Sequence, residues 1–384
     1  MNVTTAKVAV VFGGPSPEHD VSILTGLQAA RELARAQRDV IGLYWTKTGT
    51  WYRVDASLEA ADFVDGVPGG AQSLQLVTGG EGSGFVAGAG RLGRTRPLAV
   101  DVVVNCCHGG PGEDGTLQAV LDLVGVAYTG PGVAAAALGM DKLAFAGVVH
   151  AAGLPLLARV LLHKEIDTPG DGPGADDGIG FPGPYILKPR FGGSSIGVDV
   201  VADSVTARAR LDANAHLRHG AVVEPYRPDL FDLNVAVRTW PHLQLSAIER
   251  PLRSTASSEI LGYADKYVGG EGMASAPREL PAELDSSLAD ALGDAARAVS
   301  VLADVRGVAR IDFLSDGKEL FVNEVNTVPG SLARYLWVAP ALPFIELLDG
   351  LIDEALSRPT VRHSAAGADG TVLRSAGGIA GKLA

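Results

Sequence analysis

Three oxygen-bearing side chains in the last third of the chain, with an arginine beside them, have the types and the spacing of a metal site. Arg310 and Asp312 lie two residues apart in one apolar segment, and Glu324 and Asn326 lie two residues apart in the next. Because side chains alternate between the two faces of a strand, each pair shares a face, and pairing of the strands would bring all four together. Carboxylate and amide oxygens suit Mg²⁺. The alternative is a solvated strand face, but the apolar neighbours favour a buried sheet, where unpaired charges are costly.

A lysine followed by glycines and serines predicts a phosphate-binding loop. Lys188 ends an apolar segment and is followed by Gly192, Gly193, Ser194 and Ser195. Glycines let backbone N–H groups approach a phosphate closely, and the serine hydroxyls can donate to its oxygens. The lysine precedes the glycines, so this is not a Walker A motif, and a glycine-rich hairpin without a ligand would have the same composition.

Three further segments carry weaker signals. Lys142 begins a predicted helix, where the dipole attracts anions, although most helix lysines are only solvated. Glu224 ends an apolar segment just before Pro225 and could contact an adenine amino group. The segment 13–22 follows the first predicted strand, at the edge where α/β sheets bind ligands, although glycine turns there are often structural.

Two kinds of sheet are needed to position these residues. Short β-branched segments near 7–12, 40–44 and 100–105 predict a parallel α/β sheet. From about residue 130 helices and strands separated by turns predict a substantially antiparallel sheet. These strand signals lie at 185–188, 221–224, 233–238, 310–314 and 320–324. The stretch 79–90 predicts a hairpin or surface loop, and the Gly/Pro/Asp-rich stretch near 167–184 predicts an exposed loop.

Length and composition limit the class of protein. With 384 residues and about 150 residues per domain, the chain has room for two or three folded units. A formal net charge of −12 disfavours nucleic acid and anionic membranes as partners, and the apolar runs are too short for a membrane span. Cys106 and Cys107 give no disulfide framework, and the N-terminus has the pattern of a first strand rather than of a signal peptide. We therefore expect a cytoplasmic protein.

Taken in order, these segments resemble the D-alanine-D-alanine ligase family of the ATP-grasp superfamily, over about residues 7–336. The matching motifs are the segment 13–22 (GGPSPEHDVS), the segment 108–118 (HGGPGEDGTLQ), Tyr128-Thr129-Gly130, Met140-Asp141-Lys142, the segment 188–197 (KPRFGGSSIG), Lys266-Tyr267, Arg310-Ile311-Asp312 and the segment 323–330 (NEVNTVPG). Eight such motifs in one order exceed what chance would produce.

The resemblance implies a fold of α/β and α+β class in which two ATP-grasp subdomains clasp a nucleotide between two sheets. The expected units are an N-terminal parallel-sheet domain (1–130), a central subdomain (131–226), a C-terminal subdomain (227–357) with a mobile loop near 259–280, and a flexible tail (358–384).

The resemblance also implies roles for single residues. The nucleotide would be bound by Lys142, Lys188, Ser194, Ser195 and Lys266 at the phosphates, Glu224 at the adenine and Asp232 at the ribose. Asp312, Glu324 and Asn326 would bind two Mg²⁺ ions, for which Mn²⁺ could substitute. Arg310 would stabilise an oxyanion, and Tyr267 would lie on the loop that excludes water. The implied catalytic set also contains Asp20, Ser194 and His108, with Gly330 on the acceptor side.

The reaction implied is ATP-dependent joining of two D-amino acids. A carboxylate attacks the γ-phosphoryl group of ATP to give an acyl phosphate, and an amine then attacks the activated carbonyl. The products would be a D-alanyl-D-alanine dipeptide or close analogue for peptidoglycan precursor synthesis, ADP and phosphate. The partners would be ATP and amino acids, and family members are commonly homodimers.

Two departures from the family pattern concern the amino-acid substrates. Position 20 is Asp where the family usually has Glu, the carboxylate that receives the ammonium of the first amino acid. Loss of one methylene shortens its reach and could alter the donor. Tyr335 stands where the family usually has a Ser that anchors the carboxylate of the second D-alanine. Arg334 beside it could replace that anchor, or could be a surface arginine.

Two other functions remain open. A ligase of the same fold could serve a secondary or resistance pathway with D-serine, D-lactate or another amine. A nucleotide-binding protein could retain the fold without catalysis, but the presence of Arg310, both lysines and all three metal ligands argues against it.

Overall fold

The structure is a computed structural model and describes residues 3–79, 82–88, 96–164, 179–252, 277–358, 360 and 365–376. Its strands are β1 Lys7–Gly13, β2 Asp39–Trp45, β3 Trp51–Val54, β4 Gln72–Val77, β5 Gly84–Ala87, β6 Arg96–Pro97, β7 Val102–Asn105, β8 Ala127–Tyr128, β9 Val160–Leu162, β10 Tyr185–Pro189, β11 Asp199–Val201, β12 Ala221–Pro225, β13 Phe231–Arg238, β14 Gln244–Leu245, β15 Arg250–Pro251, β16 Arg278–Glu279, β17 Val308–Ser315 and β18 Leu320–Asn326. Its α-helices are α1 His19–Arg35, α2 Thr116–Val124, α3 Val133–Met140, α4 Lys142–Ala151, α5 Ser204–Ala213, α6 Ser286–Leu302, α7 Phe344–Ser357 and α8 Thr371–Ala376. Short 3₁₀ helices span Ala60–Phe63, Gly110–Gly112, Ala215–Leu217 and Gly330–Leu336.

An eight-stranded sheet of order β6-β5-β4-β3-β2-β1-β7-β8 forms the first third of the chain. β1 pairs in parallel with β2 and β7, and β7 pairs in parallel with β8, which confirms the predicted parallel sheet. β1 is buried from Val8 to Gly13, as a central strand covered on both faces must be. The strands β3 to β6 extend the sheet by antiparallel pairing, and β4 and β5 form the hairpin predicted near 79–90.

The core of this first sheet also contains residues of helix α7. Helix α1 buries Ile23, Leu27 and Leu33, which recur with helical spacing, against β1. Leu348 and Ile352 of α7 lie in the same core. The chain therefore returns to its first sheet after completing the last one, and α7 fastens the end of the C-terminal segment to the N-terminal domain.

Two antiparallel four-stranded sheets make up the rest, in the orders β11-β10-β12-β9 and β14-β13-β17-β18. They confirm the antiparallel pairing predicted after residue 130. Helix α6 packs Leu292 and Val299 against Ile311 and Phe313 of β17. Since side chains alternate along a strand, the even-numbered residues of β17 are left on the opposite face of the sheet.

Candidate active site

A cavity of ≈ 330 Å³ lies between the two antiparallel sheets and the edge of the N-terminal sheet. Residues predicted from separate segments of the sequence border this one space. They are His108, Lys142, Lys188, Ser194, Ser195, Glu224, Asp232, Arg310, Asp312, Glu324, Asn326 and Gly330.

Strand pairing brings the predicted metal residues together. In the β17–β18 pair, Arg310 lies opposite Asn326 and Asp312 lies opposite Glu324. Arg310 donates two hydrogen bonds to the Asp312 carboxylate, both at 2.7 Å, and Asn326 Nδ2 donates a third at 3.0 Å. Burial alone would lower the pKa of Arg310, but the Asp312 carboxylate raises it above its usual value. The Arg310 guanidinium is therefore a permanent positive charge at the cavity wall.

The donor atoms of these strands fit a hard divalent cation. Asp312 and Glu324 supply carboxylate oxygens and Asn326 an amide oxygen, and all three border the cavity. Among the described residues, no three His, Cys, Asp or Glu side chains are grouped as a metal site. A cation here would therefore take its remaining oxygens from water or from a phosphate-bearing ligand, as Mg²⁺ commonly does.

Lys142 faces these carboxylates from the start of α4. Its Nζ lies 3.8 Å from Glu324 Oε2 and donates to the carbonyl of Gly192. Burial lowers the pKa of Lys142, an effect that the Glu324 carboxylate opposes. Asp141 caps α4 and is itself held by two N–H groups of Arg190, at 2.9 and 2.6 Å. The lysine is thus fixed by a capped helix whose N-terminus points to the cavity.

Lys188 belongs to a buried network that includes an arginine the sequence analysis missed. Lys188 Nζ donates to Glu224 Oε2 at 2.9 Å and to Asn323 Oδ1 at 3.1 Å. Arg159 Nε lies 2.7 Å from Glu224 Oε1, and another Arg159 nitrogen donates to the Asn323 carbonyl at 2.7 Å. Burial would raise the pKa of Glu224, but Arg159 and Lys188 lower it below its usual value. Arg159 is the one charged residue in the apolar stretch 154–162, and this isolated charge was the feature of the sequence that could have predicted a buried ion pair.

The glycine and serine loop after β10 has an unusual backbone. Ser194 and Ser195 have φ of 53° and 58°, a left-handed conformation that non-glycine residues seldom adopt. Both border the cavity, and Ser194 Oγ donates to Glu18 Oε1. Strain of this kind persists where the surrounding structure holds it, often at a ligand site.

Two buried groups clamp the turn that follows β18. His108 Nδ1 lies 2.7 Å from the Val328 carbonyl, so it must donate, and Nε2 accepts from Thr25 Oγ1 at 2.7 Å. Burial lowers the pKa of His108, which favours this neutral form. Val328 N donates to Glu113 Oε1 at 3.0 Å, and burial raises the pKa of Glu113 to about 7. The clamp fixes the backbone between Asn326 and Gly330 at the cavity wall.

Comparison with known proteins identifies the family. Two family models match, the D-ala D-ala ligase N-terminus over residues 7–131 and the D-ala D-ala ligase C-terminus over residues 149–353. The D-alanine–D-alanine ligase A of Bradyrhizobium diazoefficiens is 34% identical over 369 residues, which cover 93% of this chain and 97% of that relative. The chain belongs to the D-alanine–D-alanine ligase family.

Solved structures agree with this assignment. The D-alanyl-alanine synthetase A of Vibrio cholerae superposes with a TM-score of 0.75 at 23% identity, covering 92% of this chain and 99% of that one. The VanG D-Ala:D-Ser ligase of Enterococcus faecalis superposes with a TM-score of 0.71 at 25% identity, covering 91% and 99%. Membership of the family makes this chain an ATP-dependent ligase, and the solved structures give it the ATP-grasp fold. In the described part of the chain, no helix is long and apolar enough to cross a bilayer.

Asp20, which was predicted to bind the first amino acid, does not border the cavity. Its side chain is 75% exposed, with Oδ1 3.2 Å from Lys47 Nζ. Glu18, two residues earlier, borders the cavity and accepts from Ser194. The reason is the start of α1 at His19: Glu18 precedes the helix, whereas Asp20 is already on its solvent face. The prediction that Asp20 is the carboxylate of the segment 13–22 at the cavity is therefore wrong, because Glu18 holds that position.

Of the three residues predicted for the acceptor, Gly330 borders the cavity whereas Arg334 and Tyr335, both described, are not among its lining residues. Arg334 is exposed and its guanidinium lies over the ring of Phe344. Tyr335 packs behind the cavity wall, 4.9 Å from the guanidinium of Arg278, which does border the cavity. Lys266 and Tyr267 lie outside the described residues.

Proposed function

We propose that this ligase condenses two molecules of D-alanine to D-alanyl-D-alanine, with conversion of ATP to ADP and phosphate, as a step of peptidoglycan precursor synthesis. The cation is proposed to be Mg²⁺. One observation carries the proposal: two lysines, an arginine and the donor set Asp312, Glu324 and Asn326 face one cavity between two antiparallel sheets. Such a site combines phosphate neutralisation with stabilisation of a second developing anion.

In the first step the donor carboxylate attacks the γ-phosphorus of ATP, and ADP leaves as the acyl phosphate forms. Lys142 and Lys188 are proposed to hold the phosphates, and Glu18 the donor ammonium in place of Asp20. Glu18 is supported for this role by its position on the cavity wall beside Ser194. When bound to Asp312, Glu324 and Asn326, two Mg²⁺ ions supply charge neutralisation for the phosphates.

In the second step the acceptor amine attacks the acyl carbonyl, a proton is lost from the nitrogen, and phosphate leaves. Arg310 is proposed to stabilise the oxyanion of the tetrahedral intermediate together with the backbone of Gly330. The support is that both border the cavity and that Asp312 fixes the guanidinium of Arg310. The clamp of His108 and Glu113 on Val328 would keep Gly330 in place.

A second candidate is a ligase of the same chemistry with another acceptor, such as D-serine or D-lactate. It is favoured by Tyr335, whose side chain replaces the usual Ser near the acceptor end. The D-Ala:D-Ser ligase that shares this fold shows that the fold serves such a protein.

The test is product formation with a substrate panel. Purified protein with ATP and Mg²⁺ is given D-alanine alone, then D-alanine with D-serine, D-lactate or L-alanine, and both ADP and the joined product are measured. We expect D-alanyl-D-alanine with D-alanine alone. Product only in the mixtures would replace the first candidate by the second, and ATP binding without any ADP release would refute both. The predicted homodimer is checked on the same sample by analytical ultracentrifugation.

A further inference from the structure

Arg278 is a cavity-lining cation that none of the steps above uses. It stands in β16, directly after the segment 253–276 that lies outside the described residues. It borders the same cavity as Arg310 and Gly330, the groups proposed to act on the acceptor side. A second guanidinium that borders this cavity offers N–H donors to an anionic group of a substrate.

The Arg278 side chain is fixed by groups that belong to the sheet. Its NH1 group donates to Glu249 Oε1 at 2.7 Å. Glu249 Oε2 accepts from Asn234 Nδ2 at 3.1 Å, and the backbones of Glu249 and Asn234 exchange two hydrogen bonds of 2.8 Å. Glu249 is therefore anchored to β13, and Arg278 through it. A guanidinium held in this way loses little further side-chain entropy on binding a ligand.

Tyr335 is a second residue that contacts the Arg278 side chain. The Arg278 guanidinium lies 4.9 Å from the centroid of the Tyr335 ring, within the range of a cation–π contact. The Tyr335 hydroxyl is buried beside the Arg310 guanidinium. Buried hydroxyls normally have a partner, and the charges of Arg310, Glu249 and Asp312 all act on this one.

We propose that Arg278, held by Glu249 and by the ring of Tyr335, binds the carboxylate of the acceptor amino acid. This inference rests on the proposed function and names the residue that recognises the second substrate, in place of Arg334. A guanidinium carries five N–H donors in a planar fork that matches a carboxylate, so it can serve Glu249 and a substrate together. Arg310 already donates to Asp312, and Arg278 already donates to Glu249, so both positive charges are balanced within the protein. The geometry of the N–H donors of Arg278, rather than an excess of positive charge, therefore selects the substrate carboxylate.

The experiment compares two acceptors that differ only in the carboxylate. D-alanine, which is also the donor, and D-alaninamide are supplied together at equal concentrations and compete as acceptors, and the ratio of D-alanyl-D-alanine to D-alanyl-D-alaninamide is measured by mass spectrometry. The wild type should prefer the carboxylate. In Arg278→Met we expect that preference to fall by about tenfold to a hundredfold, as the loss of a charge-assisted contact implies, with KM for ATP unchanged. Arg278→Lys keeps the charge without the fork and should lie between.

The control and the contrary outcomes separate the two proposals. Arg35→Met, whose side chain is 73% exposed, should retain the wild-type preference. If Arg278→Met keeps the full preference for the carboxylate, Arg278 does not bind that group of the acceptor. Should Arg278→Met not fold, a full preference in Arg278→Lys would lead to the same conclusion. A loss of preference in Arg334→Met alone would return that role to Arg334. If the wild type makes no D-alanyl-D-alanine, the proposed function itself fails.

Discussion

Removal of Arg159 tests the buried charge network most directly. The side chains of Arg159 and Glu224 are 4% and 1% exposed, and Arg159 Nε lies 2.7 Å from Glu224 Oε1. Arg159→Met keeps a long apolar side chain at this position. It leaves Lys188, whose Nζ lies 2.9 Å from Glu224 Oε2, as the one remaining cation beside Glu224, and it removes the hydrogen-bond donor of the Asn323 carbonyl. The change therefore leaves a buried carboxylate short of positive charge without opening a large cavity.

The expected cost follows from this geometry. Breaking a buried ion pair by removing one partner typically costs about 3–5 kcal/mol, because the remaining charge is uncompensated. Lys188 still donates to one oxygen of Glu224, so we expect a loss near the lower end, about 3 kcal/mol in the free energy of unfolding. The double variant with Glu224→Gln removes the uncompensated charge and should lose less than Arg159→Met alone.

The assay is urea unfolding of the ATP-free protein, with Lys164→Met as matched control. Lys164 Nζ lies 2.6 Å from Asp212 Oδ1, but these side chains are 51% and 77% exposed. Exposed pairs contribute little, so the control should lose less than about 1 kcal/mol. Equal losses in Arg159→Met and Lys164→Met would refute the argument that burial makes the first pair costly to break. We also expect KM for ATP to rise in Arg159→Met only.

The pH dependence of that loss has a defined sign. Burial would raise the pKa of Glu224, but Arg159 and Lys188 hold the pKa of the folded state below 4.5. The ionised carboxylate therefore stabilises the fold above pH 4.5, and its contribution is lost as pH falls through the folded pKa. The difference between wild type and Arg159→Met should shrink when the urea titration is repeated below pH 4.5.

Three further variants test other parts of the molecule. Glu324→Gln should abolish ADP release at saturating ATP while circular dichroism and the unfolding midpoint stay unchanged, because a carboxylate of the proposed cation site is lost; wild-type turnover would contradict that role. Glu113→Gln should weaken the pH dependence of stability. Burial raises the pKa of Glu113 to about 7, so the wild type loses stability as pH rises from 4.5 to 7, and the variant should lack this part of the decline. Glu354→Ala should cost about 1–3 kcal/mol in urea unfolding, since the buried N–H of Gly307 and the hydroxyl of Thr239 lose the carboxylate that accepts from both and keep only each other as partners. A loss below about 0.5 kcal/mol would show that water replaces the carboxylate.

Much of the cavity wall was predictable because it follows strand periodicity. Arg310 and Asp312, like Glu324 and Asn326, share a face wherever they form strands, and the structure pairs them in register. The choice between Asp20 and Glu18 was not predictable in this way, because it depends on where α1 begins and on how the loop of Ser194 approaches it. Arg278 and Arg159 had weak signals or none, since their partners Glu249, Glu224 and Asn323 are distant in sequence.

The spacing of neighbouring residues along the chain was enough to predict the parallel and antiparallel strands. It was also enough to place Lys142 at the start of a helix and Lys188 at the end of a strand, and to indicate the family to which the protein belongs. Contacts between distant segments decided which carboxylate faces the cavity, which arginines are buried in ion pairs, and that Tyr335 lies behind Arg278 rather than in the cavity. The physical reason is that a charge can be buried only where folding supplies its partner, and the partners of Arg159 and Arg278 lie far from them in the sequence.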